Sequence, residues 1–184
     1  MKATIKLNLP SIQMSQQMMA QTGLDMVSLI KVRIYKGLDA NGKPFKPYSI
    51  KPLYVSKGSP LARRLAPKGG IKTKKGMFFA GGYREYKEKS RKRSNAIEGQ
   101  TAEVDLTLSG MMMQNFTVLK SSDKGFTIGL LPPVESYGYA VNAQRQFIGL
   151  TDDEISKLIE MVKIRSEEHT SELQSLAYLV CRLL

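Results

Sequence analysis

The fold of this chain is decided by residues 116–130, FTVLKSSDKGFTIGL. Apolar and polar side chains alternate along residues 116–120 and again along residues 125–130, which is the period of a half-buried β-strand. The residues between these runs, Ser121–Gly125, are polar and end on glycine, a composition typical of a hairpin turn. The segment therefore predicts an antiparallel β-hairpin.

A helix is predicted on the C-terminal side of this hairpin, after Pro132-Pro133 has ended the second strand. Thr151 and Glu154 have the spacing of a capping box, in which each side chain bonds to the backbone amide of the other residue. Leu150 and Ile155 occupy the apolar positions that flank such a cap. One apolar face then follows along the helix: Ile155, Leu158, Ile159 and Val162.

The N-terminal part of the chain predicts a strand and a long helix. Residues Lys2–Leu9 alternate and are closed by Pro10, and the pattern becomes helical from about Ser11 to Tyr35. Methionines in this helix fit either core packing or an adaptable face for a partner. Its apolar positions recur at spacings of about 3.6 residues: Met19, Met26, Ile30 and Ile34.

These elements define an α+β fold, a single small domain with a long N-terminal helix, an antiparallel hairpin or sheet, and a C-terminal capped helix. The apolar segment Val104–Gln114 adds a short helix around residues 111–114. A chain of this length is normally one domain, which we assign to residues 1–164. No apolar run approaches the ~20 residues that a membrane span needs, and the alternating N-terminus differs from a signal peptide. We therefore expect no membrane association and no secretion.

A long basic loop, residues 37–93, is expected to protrude from this domain. Residues 37–82 have almost no periodicity and contain five prolines, and loops of this length are usually functional or disordered. Tyr83–Arg93 is predicted to be a short basic helix. Residues 41–93 hold 16 Lys or Arg against Glu85 and Glu88, a net charge of +14, while the rest of residues 1–164 sums to −1.

The charge of this loop implies an acidic partner. Its aromatic residues are Phe45, Tyr48, Tyr54, Phe78, Phe79, Tyr83 and Tyr86. Basic residues interleaved with aromatic ones fit a single-strand nucleic-acid binder, a loop that docks on an acidic protein, or the lining of a passage for DNA. Composition does not separate these alternatives. The residues expected to face the partner are Arg63, Arg64, Lys68, Lys72, Lys74, Lys75, Arg91, Lys92 and Arg93.

One segment resembles a phosphate-binding loop but is better explained as a turn. Gly37–Lys43 matches the first seven positions of a Walker A motif. Pro44 stands where Ser or Thr should hold magnesium, and the segment follows a helix instead of a strand. Asn41-Gly42 is typical of a turn.

The carboxylates of the chain do not form a convincing metal site. Asp152–Glu154 is an acidic first helical turn, which complements the helix dipole. Glu103 and Asp105 are a pair without a third ligand, and two-metal chemistry needs several converging carboxylates. We therefore expect no enzymatic activity, no metal site and no cofactor.

The C-terminal residues Arg165–Leu184 resemble a translated sequencing adapter. Two constant blocks, Arg165–Ser175 and Leu179–Leu184, flank three residues that fall where a library index would lie. We therefore expect that this segment is not part of the natural domain, whose own end is expected beyond about Ile164. The segment holds the only histidine and the only cysteine of the chain, His169 and Cys181, so residues 1–164 offer neither an imidazole nor a thiolate. Without the two arginines and three glutamates of the segment, the 28 basic and 16 acidic residues become 26 and 13, a net charge of +13.

Three segments resemble, in order, parts of the phage virion morphogenesis family of tail-completion and head–tail joining proteins. They are Gly42–Ser49 (GKPFKPYS) after the long helix, Val104–Met113 (VDLTLSGMMM) before the hairpin, and Arg145–Leu150 (RQFIGL) directly before the capped helix. The resemblance extends from about Lys31 to Lys163. It carries over no catalytic residues.

This resemblance implies a structural subunit that assembles into a ring at the junction between phage head and tail. Its partners would be copies of itself, the tail tube and the head–tail connector. The charge of the basic loop, and not the resemblance, adds the expectation of a non-specific DNA contact. It would be located in the virion and, during assembly, in the host cytoplasm. The alternative is a prophage-encoded protein that binds nucleic acid without sequence preference. Neighbouring capsid and tail genes would favour the first interpretation over the second.

Overall fold

The computed structural model describes residues 3–6, 15–59, 61, 69–90, 104–107 and 110–182, with the backbone alone for residues 3–6, 90 and 168–182. The strands are Ala3–Lys6 (β1), Leu53–Ser56 (β2), Ile71–Lys72 (β3), Gly76–Phe79 (β4), Phe116–Ser122 (β5) and Gly125–Leu130 (β6). The helices are Gln16–Tyr35 (α1), Gly82–Ser90 (α2), Met111–Gln114 (α3), Glu135–Gln144 (α4) and Asp152–Arg182 (α5). The chain is therefore a small α+β domain with a long N-terminal helix, as predicted.

The predicted hairpin is confirmed and forms most of the main sheet, whose strand order is β1-β6-β5. β5 and β6 pair antiparallel along their length, and Asp123-Lys124 make the turn. β1 pairs antiparallel with the other edge of β6, which confirms the N-terminal strand over Ala3–Lys6. Because side chains alternate across a strand, Phe126, Ile128 and Leu130 share one face of β6, and all three are buried.

Helix α1 packs across this buried face. It begins after Ser15, whose Oγ accepts a hydrogen bond from the Met18 amide at 3.2 Å; residues 11–14 of the predicted helix lie outside the described residues. Gly23 brings the helix close to the sheet, since a Cβ there would lie 2.8 Å from Val118 Cγ2. The four predicted core positions are all buried: Met19, Met26, Ile30 and Ile34. Met19 and Met26 therefore belong to the core, and not to a partner-binding face.

The capping box before α5 is confirmed. The Thr151 amide donates to Glu154 Oε2 at 3.0 Å, and the Glu154 amide donates to Thr151 Oγ1 at 3.2 Å. The predicted apolar face is right at Leu158 and Val162, which are buried, and wrong at Ile155, which is 40% exposed. Glu154 points inward at that turn because an arginine of α1 pairs with it.

The prediction that residues 37–82 form a loop without regular structure is wrong over three short strands. These strands form a second antiparallel sheet in the order β2-β4-β3. Helix α2 packs on one face of it and completes a second buried cluster of Val55, Phe79 and Tyr86. The basic helix predicted from Tyr83 is confirmed as far as Ser90, and residues 91–93 lie outside the described residues.

Two further elements were not predicted as they occur. Helix α4 lies between the hairpin and α5, and its Gly138 packs directly against Leu130 of β6, where any added Cβ would overlap the leucine side chain. Helix α5 extends well past Ile164. Arg165, the first residue of the adapter-like segment, donates to Thr22 Oγ1 at 2.8 Å and pairs with Asp25, both on α1. In the described part of the chain, none of the helices is both long and apolar enough to cross a membrane.

Candidate basic interaction surface

The structure places three of the nine predicted partner-facing residues together. Lys72 ends β3, and Lys74 and Lys75 form the turn between β3 and β4. All three are exposed. The other six lie outside the described residues: Arg63, Arg64, Lys68, Arg91, Lys92 and Arg93.

The turn that carries these lysines is fixed by Thr73. Its backbone amide and its hydroxyl donate to the Gly76 carbonyl at 2.9 and 3.0 Å, and the Gly76 amide donates back to Thr73 Oγ1 at 3.1 Å. Gly76 is required there because a Cβ would overlap the backbone of β2. The Lys57 amide donates to the Lys75 carbonyl at 3.0 Å. The backbone at the end of β2 therefore lies directly beside this turn.

No acidic residue occurs between Asp39 and Glu85, whereas 11 Lys or Arg do. Glu85 is engaged locally. The ammonium of Lys89 and the Gly81 amide both donate to its carboxylate, and these bonds lower the pKa of Glu85 below its ordinary value of 4.5. Lys57, Lys72, Lys74 and Lys75 have no carboxylate partner in the described part of the chain. The second sheet is therefore a positively charged surface.

Most aromatic residues of the basic loop, residues 37–93, are unavailable to a ligand, so the interleaving seen in the sequence does not produce a row of exposed rings. Phe45, Tyr48, Phe79 and Tyr86 are buried, and Phe78 and Tyr83 are half-buried. The Phe79 and Tyr86 rings pack edge to face at 5.3 Å between centroids. Only Tyr54, at 48% exposure, offers a ring to solvent among the described aromatic residues of this segment.

One lysine of the basic segment is buried. Lys87 on α2 is fully inaccessible, donates from Nζ to the Tyr48 hydroxyl at 3.0 Å, and pairs with Asp105. Its ammonium also lies 4.4 Å from the centroid of the Tyr48 ring. A charge in the interior is tolerated only when it is paired and hydrogen-bonded. Lys87 therefore belongs to the buried interior. Its partner Asp105 is one of the two carboxylates considered above as a pair, and the other, Glu103, lies outside the described residues.

A second buried ion pair joins α1 to α5. Arg33 is 6% exposed, pairs with Glu154, and donates to the carbonyls of Phe147 and Gly149 at 2.7 and 3.1 Å. Burial lowers the pKa of the Arg33 guanidinium, while the carboxylates of Glu154 and Asp39 act in the opposite direction. Arg33 was not predicted from the sequence as a buried residue. The signal was present, since a charged residue on the same helical face as Met26 and Ile30 requires a buried partner.

The three segments of the family resemblance meet in space. Arg145 donates to the carbonyls of Lys46 and Pro47 at 3.0 and 3.2 Å, and its guanidinium lies 5.1 Å from the centroid of the Tyr48 ring. The hydroxyl of Tyr48 also accepts a hydrogen bond from Lys87 of α2, which pairs with Asp105 of the middle segment. Residues widely separated in sequence therefore form one polar junction.

The structure bears out the turn interpretation of the Walker-like segment. Asp39 Oδ1 accepts from the Asn41 and Lys43 amides at 2.8 and 2.9 Å, and Gly42 has a left-handed φ of 74°. Two carboxylates in the first turn of α5 form separate ion pairs: Glu154 pairs with Arg33, and Asp153 pairs with Lys157. Among the residues that the structure describes, no group of three or more His, Cys, Asp or Glu side chains could hold a metal ion.

Comparison with protein-family models, with curated proteins and with solved structures found no match for this chain. The relation of the three segments to phage virion morphogenesis proteins therefore stays a prediction from the sequence.

Proposed function

We propose that this chain is a structural subunit of phage virion assembly that acts in tail completion or head–tail joining, as a ring-forming homo-oligomer. The observation that carries the proposal is the junction around Tyr48. Of the three segments that are each similar to part of the virion morphogenesis family, the first is bonded by Arg145 of the third, and Lys87 of α2 links Tyr48 of the first to Asp105 of the second. Motifs that meet in this way are expected of one structural framework, because its members depend on one another for burial and charge pairing.

The experiment is to follow the chain during particle assembly. Light scattering of the purified protein, alone and with phage tails, should show a higher oligomer, as expected of heterologous contacts that close into a ring. The protein should be recovered from finished virions in a fixed copy number per particle. A strict monomer that never enters the virion contradicts the proposal.

Charge reversal tests whether the basic sheet takes part in assembly. Changing Lys72, Lys74 and Lys75 to Glu should block assembly while the subunit stays folded, because these side chains are exposed and opposite charges steer partners together. The matched control changes Lys120, Lys124 and Lys163, which are also exposed but lie outside the basic segment. Normal particle yield from the first variant would show that the sheet has no role in assembly.

A second candidate function, non-specific nucleic-acid binding by a prophage-encoded protein, is favoured by the acid-free run between Asp39 and Glu85. Such binding depends on phosphate neutralisation and weakens steeply with salt. Capsid and tail genes beside the coding sequence support the assembly role, and their absence supports the binding role.

A further inference from the structure

The outer face of the second sheet carries a row of apolar side chains across all three strands. Tyr54 pairs with Phe78, and Ile71 pairs with Phe78 from the other side. Directly opposite residues point to the same face of a sheet. Tyr54 and Ile71 are 48% and 65% exposed. The row therefore lies on the face opposite Val55 and Phe79, which are buried beneath α2.

The Tyr54 side chain is held in place on this face. Its hydroxyl lies 3.1 Å from Thr73 Oγ1, in the turn between β3 and β4. It reaches there across Gly76, where a Cβ would lie 2.9 Å from the hydroxyl oxygen. The missing side chain of Gly76 thus leaves the space that the tyrosine crosses. A ring fixed in this way loses little conformational freedom when a ligand packs on it.

Three lysines lie close to this ring along the backbone. Lys74 follows Thr73, the hydrogen-bond partner of Tyr54, and Lys57 bonds through its amide to Lys75. Lys72 pairs with Met77 and therefore points to the other face of the sheet. The side chains of Lys57, Lys74 and Lys75 are exposed and lack a carboxylate partner in the described residues. An exposed aromatic ring within a cationic groove is how proteins bind single-stranded nucleic acid without sequence preference, since every base has a face that can stack and every nucleotide a phosphate.

We propose that the outer face of the β2-β4-β3 sheet binds single-stranded nucleic acid, with one unpaired base stacked on Tyr54 and the adjacent phosphates beside Lys57, Lys74 and Lys75. A duplex offers the same phosphates but keeps its base faces covered. An acidic protein surface would need the lysines but would gain little from the ring. This inference concerns a ligand of the subunit and does not depend on the virion role.

The test measures binding of the full chain to a fluorescent oligo-dT strand across a salt series. Tyr54→Ala should weaken binding about 5- to 160-fold, the range found when a stacking aromatic is removed, without changing the slope of affinity against salt. Lys75→Gln should instead reduce that slope by about 0.7, the contribution of one phosphate in a single strand. Tyr54→Phe, which keeps the ring, should bind close to the unmodified chain.

The matched control is Tyr35→Ala, because Tyr35 on α1 has the same 48% exposure as Tyr54 but lies outside the second sheet. Its binding should be unchanged. A Tyr54→Ala variant that binds like Tyr35→Ala overturns the proposal, as does equal affinity for oligo-dT and for a duplex of the same length. Competition by poly-glutamate as strong as by oligo-dT would assign the surface to an acidic protein. A chain that never enters a virion but shows the Tyr54 effect refutes only the assembly role.

Discussion

Two glycines, one before the second sheet and one after it, show how single residues set the course of the chain. Gly42 and Gly82 have left-handed φ values of 74° and 70°, which L-residues adopt only at a cost of about 1–2 kcal/mol. Their surroundings differ. A Cβ on Gly42 would meet only Thr151 Cγ2, at 4.0 Å, whereas a Cβ on Gly82 would lie 2.7 Å from the Ser49 carbonyl oxygen and nearer still to that of Lys51. Gly82 is thus fixed by both its conformation and the backbone beside it.

Comparing Gly82→Ala with Gly42→Ala separates these two effects. Gly42→Ala should lower the free energy of unfolding by about 1–2 kcal/mol, the conformational penalty alone. Gly82→Ala should lose a further amount of about 1–3 kcal/mol, because the added Cβ overlaps the backbone of Ser49–Lys51 and forces that loop away from the start of α2. The measurement is the midpoint of urea unfolding, followed by circular dichroism. Equal losses in the two variants would show that the loop at Ser49–Lys51 moves aside without resistance.

At the scale of elements, the Arg33–Glu154 pair holds the end of α1 against the start of α5. Glu154→Gln can keep the hydrogen bond of the capping box but leaves the buried guanidinium without its counter-charge. Breaking a buried pair from one side typically costs about 3–5 kcal/mol. Glu160→Gln, an exposed change on the same helix, should stay within about 0.5 kcal/mol. Thermal unfolding of both variants checks this, and a similar small loss in each would mean that water reaches Arg33.

Elements that have a clear local sequence pattern could be predicted, and elements that are stabilised by contacts distant in sequence could not. The β5–β6 hairpin shows its alternation over consecutive residues, and Thr151 and Glu154 signal α5 within a single turn. β2 and β4 have four residues each, too few for a period to stand out among glycines and lysines. The sequence of α4 is a weak helix signal because it contains Gly138, a poor helix former. The helix is instead stabilised by close packing of Gly138 on Leu130.

The candidate surface was predicted in charge but not in geometry. Lys72, Lys74 and Lys75 could be chosen from composition, because a run without acidic residues has to be solvated or partnered. Tyr54 could not be separated from the other aromatic residues, since the burial of Phe79 and Tyr86 depends on pairing between strands that the sequence did not reveal. The same pairing makes the Tyr54–Phe78–Ile71 row.

At the scale of the whole molecule, the chain has two buried clusters, and the second of them lies beneath the positively charged second sheet. Tyr83 packs against both clusters, and its ring lies 5.2 Å from that of Tyr48 and 5.9 Å from that of Tyr86. The Lys87–Asp105 pair also joins α2 to the segment before the main hairpin. Buried aromatic and ionic contacts therefore hold the second sheet against the main core, while its lysines remain exposed to solvent.

The C-terminal segment gives the last test at this scale. The sequence predicts that Arg165–Leu184 can be removed without loss of stability. Arg165, however, bonds to Thr22 and pairs with Asp25. The side chains of this ion pair are 25% exposed at Arg165 and 29% exposed at Asp25. A chain that ends at Arg165 keeps the contacts of Arg165 with Thr22 and Asp25 and should therefore melt with the full chain. A chain that ends at Ile164 should lose about 1 kcal/mol, the value of a partly exposed ion pair, which lowers Tm by roughly 2–4 °C in a chain of this size. Asp25→Asn should lower Tm in the longer chain and have no further effect in the shorter one, because the partner of the carboxylate is already gone. A chain ending at Arg165 that melts well below the full chain would show that residues 166–184 contribute to the folded structure.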